Sequence, residues 1–449
     1  MKKIWILLVI ISAVGGRVQA QGDTLWSLQE CVSQAVSYNL GMKRQELMLE
    51  SASKDVIQSR MNLMPNLNGS IEHQFGSGRV LDEYNENIQW INGTSSQGFL
   101  GVRSDLILFD GLQGYNNMKM QKANYQGSME DLGALEDKLT IEVMTAYLTL
   151  LRNKELVEVA RLNMEVTRKQ VERMERLVEV GNESKGKLLE VNAQLSEARL
   201  TLTMAENDQS ISSLNLMHLL NLSSSEDFDI LKPVFPDPQE GDIPPIDTVI
   251  AYAMVHLPQI RSAGYGVEAS QRNLAVKRGG RSPRIYARGI VNSNYREGLP
   301  NPIDPNLPYP IADQVNNNQY KQLSLGVQVP IFNRWQVQTG ISKARIGLQD
   351  AEFQYDHAVL LMEQGVQQYH TEALAALDNY QSAKEAVANS DEVFRFAEER
   401  FRVGTGTALE MQEARRLLYE STASMISSRF VLIFYIKILD FYMGKEIEL

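Results

Sequence analysis

The side chains that most often carry out chemistry are few in this chain and lie far apart. None of the five histidines has the short spacing to other ligands that is typical of a zinc site. These histidines are His73, His218, His256, His357 and His370. The nucleophile-elbow, zinc-protease, P-loop and dinucleotide-binding signatures are also missing from the sequence. The sequence therefore predicts a protein that is not an enzyme and has no metal site or cofactor.

Three other features resemble reactive sites but have simpler interpretations. Asp110 lies in a Phe-Asp-Gly sequence, which is typical of a turn that joins a strand to a helix. The 18 methionines are dispersed, so we expect them to fill the core rather than to bind copper. Cys31 is the only cysteine, which excludes an intramolecular disulfide, and we expect it to be a small buried side chain.

Charge and the N-terminus predict an exported protein that does not bind nucleic acid. The formal net charge is −11, whereas a nucleic-acid partner would require a basic face. Residues 1–20 combine a basic start, an apolar stretch and small residues up to Ala20, which is typical of a secretory signal peptide. No later apolar stretch is long enough for a membrane helix, and the nearest, residues 430–442, is interrupted by Lys437 and Asp440.

An internal duplication determines the predicted architecture. Residues 21–231 and residues 246–449 follow the same order of a helix, a β-hairpin, a long helix and a shorter helix. The hairpins are predicted at about 65–110 and about 283–333. The linker between the repeats, residues 232–245, contains five prolines, which favour an irregular segment.

The long helices have the periodicity of a coiled coil. From Val359 to Phe401, apolar or small residues recur in alternating steps of three and four. With about 1.5 Å per residue, residues 113–180 and 336–402 would each reach roughly 100 Å. The shorter helices match that length only when stacked end to end, as the pairs 26–63 with 184–222 and 246–281 with 407–443.

Four segments alternate between apolar and polar residues and are long enough to cross a bilayer as tilted strands. They are residues 66–75, 98–109, 284–296 and 322–331. Four strands do not close a barrel around a passage, and open edges in hydrocarbon leave backbone groups unpaired. Membrane insertion therefore requires several protomers, and three would supply about twelve strands. A soluble β-rich cap is the alternative interpretation of the hairpins.

The order of these elements resembles the TolC-type outer-membrane efflux duct family. The resemblance includes the helix from Leu28 to Leu40, the turn from Leu108 to Gly111, the glycine-containing break after each long helix, and their repetition. It implies a mixed α and β fold, mainly α, with a long antiparallel α-helical coiled-coil barrel. Four membrane strands per protomer would contribute to a homotrimeric β-barrel of about twelve strands.

The resemblance also implies a function and partners. Family members lie in the outer membrane of Gram-negative bacteria, with a large periplasmic portion. They export small molecules such as drugs and toxins, and also polypeptides, as exit ducts of tripartite efflux or type I secretion systems. An inner-membrane pump supplies the cargo through a periplasmic adaptor, so the duct is a passive conduit with porin activity, surrounded by outer-membrane lipid. The alternative is a periplasmic coiled-coil adaptor or scaffold without a pore.

By the same resemblance, the two helix breaks are tips that dock the adaptor. The residues concerned are Val180, Gly181, Ser184, Val403, Gly404, Thr405 and Thr407. Beside the second tip, Glu410 and Glu413 occupy the places of two acidic residues that narrow the periplasmic entrance. Their spacing puts both on one helix face, so three protomers would form a carboxylate ring that favours cations. A solvated helix start, where carboxylates suit the helix dipole, is the alternative.

Two residues of the periplasmic gate differ from the family pattern. Phe401 stands where a tyrosine is expected, and Gly406 stands where an arginine is expected. In the first tip, Lys187 replaces an acidic residue. The contacts that close this gate are therefore expected to differ from those of the family.

Overall fold

The computed structural model describes residues 25–82, 89–223 and 228–445. The predicted signal peptide lies outside these ranges. The described chain is mainly helical and contains one four-stranded antiparallel sheet. The prediction of a mainly helical fold with antiparallel strands is confirmed.

The helices of the first half recur with the same lengths in the second half. Each half has helices of 11, 22, 67 and 35 residues in that order. The first half contains α1 (Leu28–Tyr38), α2 (Leu40–Met61), β1 (Asn68–Asp82), β2 (Gln89–Phe109), α3 (Gln113–Glu179) and α4 (Lys185–Leu219). The second contains α5 (Ile246–His256), α6 (Pro258–Gly279), β3 (Arg284–Arg296), α7 (Ile311–Asn317), β4 (Tyr320–Gln328), α8 (Gln336–Arg402) and α9 (Ala408–Tyr442).

The prediction of single helices at 26–63 and 246–281 is wrong, because each is broken into two. Asn39 has an extended backbone, and its side chain accepts hydrogen bonds from the backbone N–H groups of Gly41 and Met42 at 2.7 and 3.2 Å. It thereby caps α2 and ends α1. In the second half, Pro258 disfavours a helical conformation at Leu257, which is also extended. Apolar periodicity continues across both breaks and so did not reveal them.

The sheet has the strand order β1-β2-β3-β4. The hairpins from the two halves are joined through β2 and β3, where Val102 lies opposite Val291. Within the described residues, β1 and β4 each pair on one side only. The second hairpin differs from the prediction, because the short α7 interrupts its loop and β4 ends at Gln328. Val329 and Ile331, expected to continue the strand, lie beyond it.

The largest core surrounds Tyr147 of α3. Its hydroxyl group donates to the backbone oxygens of Leu231 and Trp26, at 2.7 and 3.1 Å. It thereby holds the start of the described chain, and the residue just before the inter-repeat linker, against the long helix. Cys31 is fully buried in the same cluster, as predicted, and burial raises the pKa of its thiol to about 12. The thiol therefore stays protonated and unreactive near neutral pH.

Among the described helices, α9 alone is long and apolar enough to cross a membrane by length and composition, so the prediction that no later stretch is long enough is wrong. Its apolar side chains have another role, because Leu432 and Leu439 are fully buried and Ile438 nearly so. The helix packs against α8 and α3. We therefore interpret its apolar stretch as part of the helical core.

The packing around α3 disfavours the charge of Asp137. Burial, and to a lesser extent Glu136, raises the pKa of its carboxyl group to about 6. Because this exceeds the unfolded value of about 3.9, the carboxyl group does not destabilise the fold below about pH 4, and its cost is fully present once the pH has risen through 6. We expect Asp137→Asn to increase the free energy of unfolding by about 1 kcal/mol at neutral pH, after allowance for solvent screening. Thermal unfolding should show little effect near pH 4, and an equal gain at both pH values would contradict this explanation.

Candidate functional site

The two faces of the sheet differ sharply in polarity. On one face, Ile71 of β1 is 81% exposed, and Leu323 and Leu325 of β4 are 80% and 74% exposed. The register places these residues on the same face, because Ile71 lies opposite Leu100 in β2 and the alternation continues through β3 to β4. A continuous apolar face of this kind is typical of contact with lipid or another protein.

The opposite face carries charged and amide side chains. The carboxylate of Asp105 accepts hydrogen bonds from Arg103 in its own strand, at 2.8 Å, and from Arg288 of β3, at 2.6 Å. The guanidinium group of Arg288 also lies 5.5 Å from the centre of the Tyr286 ring. This face therefore suits water, whereas the apolar face does not, as in a strand with lipid on one side and a lumen on the other.

The strand-to-helix turn at Asp110 is confirmed as a structural feature. The carboxylate of Asp110 accepts a hydrogen bond from the backbone N–H of Gly114, at 2.9 Å, near the start of α3. Two histidines likewise make structural contacts: His73 is hydrogen bonded to Tyr295 and Ser96 across the sheet, and His256 stacks on a tyrosine. Within the described ranges, no three His, Cys, Asp or Glu residues lie close enough to hold a metal ion.

The two predicted tips have the same local geometry. In the first, Val180 caps the C-terminus of α3, Gly181 has a φ of +77°, and the Ser184 side chain accepts a hydrogen bond from the backbone N–H of Lys187. In the second, Val403 caps the C-terminus of α8, and Gly404 has a φ of +79°. Only glycine adopts this backbone at little cost, which explains its place in each break. The predicted docking residues of both tips are exposed, and Gly406 beside the second tip is partly so.

Glu410 takes part in the cap of α9. Its backbone N–H donates to the Thr407 hydroxyl at 3.2 Å, and its carboxylate accepts from the Thr407 backbone N–H at 3.1 Å. This reciprocal arrangement is a capping box. The carboxylate also lies 3.6 Å from the Arg400 guanidinium group. The alternative interpretation as a helix start thus has a structural basis, while the ring of carboxylates stays a prediction.

Glu413 is held on the same helix by Arg416, which also forms an ion pair with Glu420 at 2.6 Å. The Arg416 guanidinium group lowers the pKa of the Glu413 carboxyl by hydrogen bonding and charge. Glu413 therefore carries its charge at neutral pH, but that charge is partly balanced within the protomer.

The structure gives each of the altered gate positions a neighbour. The guanidinium group of Arg173, in α3, lies 5.8 Å from the centre of the Phe401 ring, in α8. Gly406 donates its backbone N–H to the Arg400 carbonyl at 2.9 Å, and an added Cβ atom would come within 3.1 Å of the Phe401 nitrogen. A larger residue at Gly406 would therefore be crowded. Sequence reasoning missed Arg173, because nothing in its spacing relates it to Phe401.

Comparisons with known proteins agree with this geometry. The family model described as Outer membrane efflux protein matches residues 31–222 and 249–429. Outer membrane efflux protein BepC of Brucella suis is 19% identical over 331 residues, covering 74% of this chain and 68% of that protein. Protein CyaE of Bordetella pertussis is 22% identical over 323 residues, which cover 70% of this chain and 65% of CyaE.

Solved outer membrane proteins have the same fold. The outer membrane protein VceC of Vibrio cholerae has a TM-score of 0.77 at 14% identity, with 94% of this chain and 97% of that chain covered. The CmeC outer membrane channel of Campylobacter jejuni has a TM-score of 0.76 at 15% identity, with 93% and 85% covered. At these identities the likeness establishes the fold alone.

Proposed function

The chain belongs to the outer membrane efflux protein family, and on that premise we propose that three copies of it form the exit duct of an efflux assembly. The protein lies in the outer membrane of a Gram-negative bacterium and has a large periplasmic helical portion. The observation that carries the proposal is the four-stranded sheet, which has an exposed apolar face and, in the described part of the chain, unpaired outer edges.

The free edges require further strands. In hydrocarbon, each unpaired backbone N–H or C=O group costs several kcal/mol, so a lone sheet of four strands is unstable there. Three protomers bring about twelve strands, which form a barrel wide enough for a water-filled lumen. The apolar face would then contact lipid, and the polar face would line the lumen.

The helical body would continue this lumen as a tunnel. Helices α3 and α8 have 67 residues each, which corresponds to about 100 Å at about 1.5 Å per residue. Ile346 and Phe353 of α8 are exposed apolar residues on one protomer, and contacts between protomers would cover such residues. The duct is a passive conduit, and an inner-membrane pump provides the driving force.

The adaptor would dock at the tips around Gly181 and Gly404, and the periplasmic gate would lie beside the second tip. There Phe401 and Gly406 stand next to the paired acids Glu410 and Glu413. We propose that the contact between Arg173 and Phe401 helps to hold α8 against α3 when the gate is closed. Small molecules such as drugs and toxins are the proposed cargo, with polypeptides through a type I secretion pump as a second class.

Membrane fractionation tests the proposed function directly. The protein should occur in the outer-membrane fraction and migrate on an unheated gel as a trimer that heating dissociates. A soluble monomer would instead support the alternative, a periplasmic adaptor or scaffold. That alternative also leaves the exposed apolar face of the sheet without a partner.

The carboxylates near the second tip make a separate prediction. We expect Glu410→Gln with Glu413→Gln to lower the potassium-to-chloride permeability ratio by about threefold, because a charged constriction concentrates counterions. Glutamine can replace glutamate in the capping box, so the tip should stay folded. Glu190→Gln is the matched control, because Glu190 follows the first tip at the position equivalent to that of Glu413 after the second tip. An unchanged ratio in planar bilayers would remove both glutamates from the gate.

A further inference from the structure

The polar face of the sheet carries an excess of positive charge. Four arginines occupy strand positions on this face, and all lie in β2 or β3: Arg103, Arg284, Arg288 and Arg296. Among the strand residues of this face whose side chains are described, Glu72 and Asp105 are the only acids. Among these described side chains, the face has two more positive than negative charges in each protomer.

Only half of these arginines have an acidic partner. Asp105 binds Arg103 and Arg288 together, and Glu72 is hydrogen bonded to the amide of Gln74 instead of to an arginine. Within the described residues, the side chains of Arg284 and Arg296 have neither an ion pair nor a hydrogen bond. Ion pairing with Asp105 thus explains why Arg103 and Arg288 lie on this face, but it does not explain the presence of Arg284 and Arg296.

The arginines of β3 are spread along the depth of the sheet. Arg284 is the first residue of the strand and Arg296 the last, with Arg288 between them. At about 3.3 Å per residue, the ends of this strand are roughly 40 Å apart. The positive charge therefore extends over the whole height of the strand instead of marking one end.

We propose that these arginines line the lumen of the assembled barrel and attract into it anionic solutes bearing carboxylate, sulfate or phosphate groups. This inference rests on the proposed function, since only a closed barrel turns the polar face into a lumen. Guanidinium groups stay positively charged at any physiological pH and so attract such anions. A lumen lined by charge of one sign also focuses the field and raises the local concentration of counterions.

Block of single-channel current by a polyanion tests the inference. The probe is inositol hexakisphosphate, added at the barrel side of the purified channel in planar bilayers. We expect it to block the wild-type channel, and we expect Arg284→Gln with Arg296→Gln to raise the half-blocking concentration about tenfold, in line with the enrichment in charged clefts. The matched control is Lys321→Gln, because Lys321 has the same charge but lies on the apolar face, opposite Val291. Its block should equal that of the wild type.

The outcomes separate this inference from the proposed function. Conducting channels that the polyanion does not block, or that it blocks equally in the double variant, would overturn the inference alone. The absence of any channel in the wild-type protein would overturn the proposed function. The conservative variant Arg284→Lys with Arg296→Lys keeps the charge, so we expect it to retain most of the block. Loss of block in a conducting lysine variant would contradict an electrostatic origin.

Discussion

Leu325→Arg is expected to abolish the heat-sensitive trimer in the outer membrane. Leu325 lies on the apolar face, near the middle of β4, and is 74% exposed on the protomer. An arginine on the lipid face of a barrel strand costs about 2–4 kcal/mol near the bilayer midplane. The trimer would carry this substitution three times, which is comparable to the whole stability of many folded proteins, about 5–15 kcal/mol. Unheated gels of outer-membrane fractions would measure the loss.

Gln322→Arg is the matched control, because it adds the same side chain to the same strand on the opposite face. We expect this variant to assemble normally, since its guanidinium group would reach the water of the lumen. If both variants assembled, the apolar face would not contact lipid. If neither variant assembled, an arginine at either position in β4 would prevent assembly, and the result would not distinguish the two faces.

Tyr147→Ala is expected to have the largest effect on the helical body. Tyr147 is 1% exposed and lies at the centre of the largest core. Truncation of a large buried aromatic side chain to alanine costs about 3–5 kcal/mol, because it leaves a cavity as well as removing contacts. Here it would also release Leu231, just before the linker, and the start of the described chain from α3. Denaturant unfolding followed by circular dichroism would measure the change.

Tyr147→Phe separates packing from hydrogen bonding. Phenylalanine keeps the ring but loses the hydroxyl group that donates to Trp26 and Leu231, which we expect to cost about 1–2 kcal/mol. A loss as large as that of the alanine variant would assign the effect to the hydroxyl group. Unchanged stability in both variants would contradict the role of Tyr147 in joining these segments.

The parts of the fold that depend on long periodic patterns could be predicted from the sequence. Residues 113–180 and 336–402 were expected to be the long helices, and α3 and α8 have those bounds to within one residue. The breaks at Asn39 and Leu257 were missed because local capping and proline geometry interrupt a helix without changing its apolar pattern. Helix α7 has seven residues, too few to show a periodicity.

The backbone of the candidate site was more predictable than its contacts. Glycine marked both tips, because a positive φ leaves few other choices. The contact between Arg173 and Phe401, in contrast, joins two helices through residues that are distant in the sequence. The cluster of arginines on the polar face could not be predicted from the sequence either. Strands β2 and β3 come from different repeats, and only their register brings Asp105 beside Arg288.

Cross-linking between the free edges of the sheet tests the central claim, that neighbouring copies complete the barrel. Ser70→Cys in β1 and Gln322→Cys in β4 would be joined by a bismaleimide shorter than about 14 Å, the width of three strand spacings, so that links within one chain are disfavoured. Cys31 is buried and should not react. We expect a ladder of one, two and three linked chains and nothing larger. Chains that stay single in the outer-membrane fraction would contradict the account.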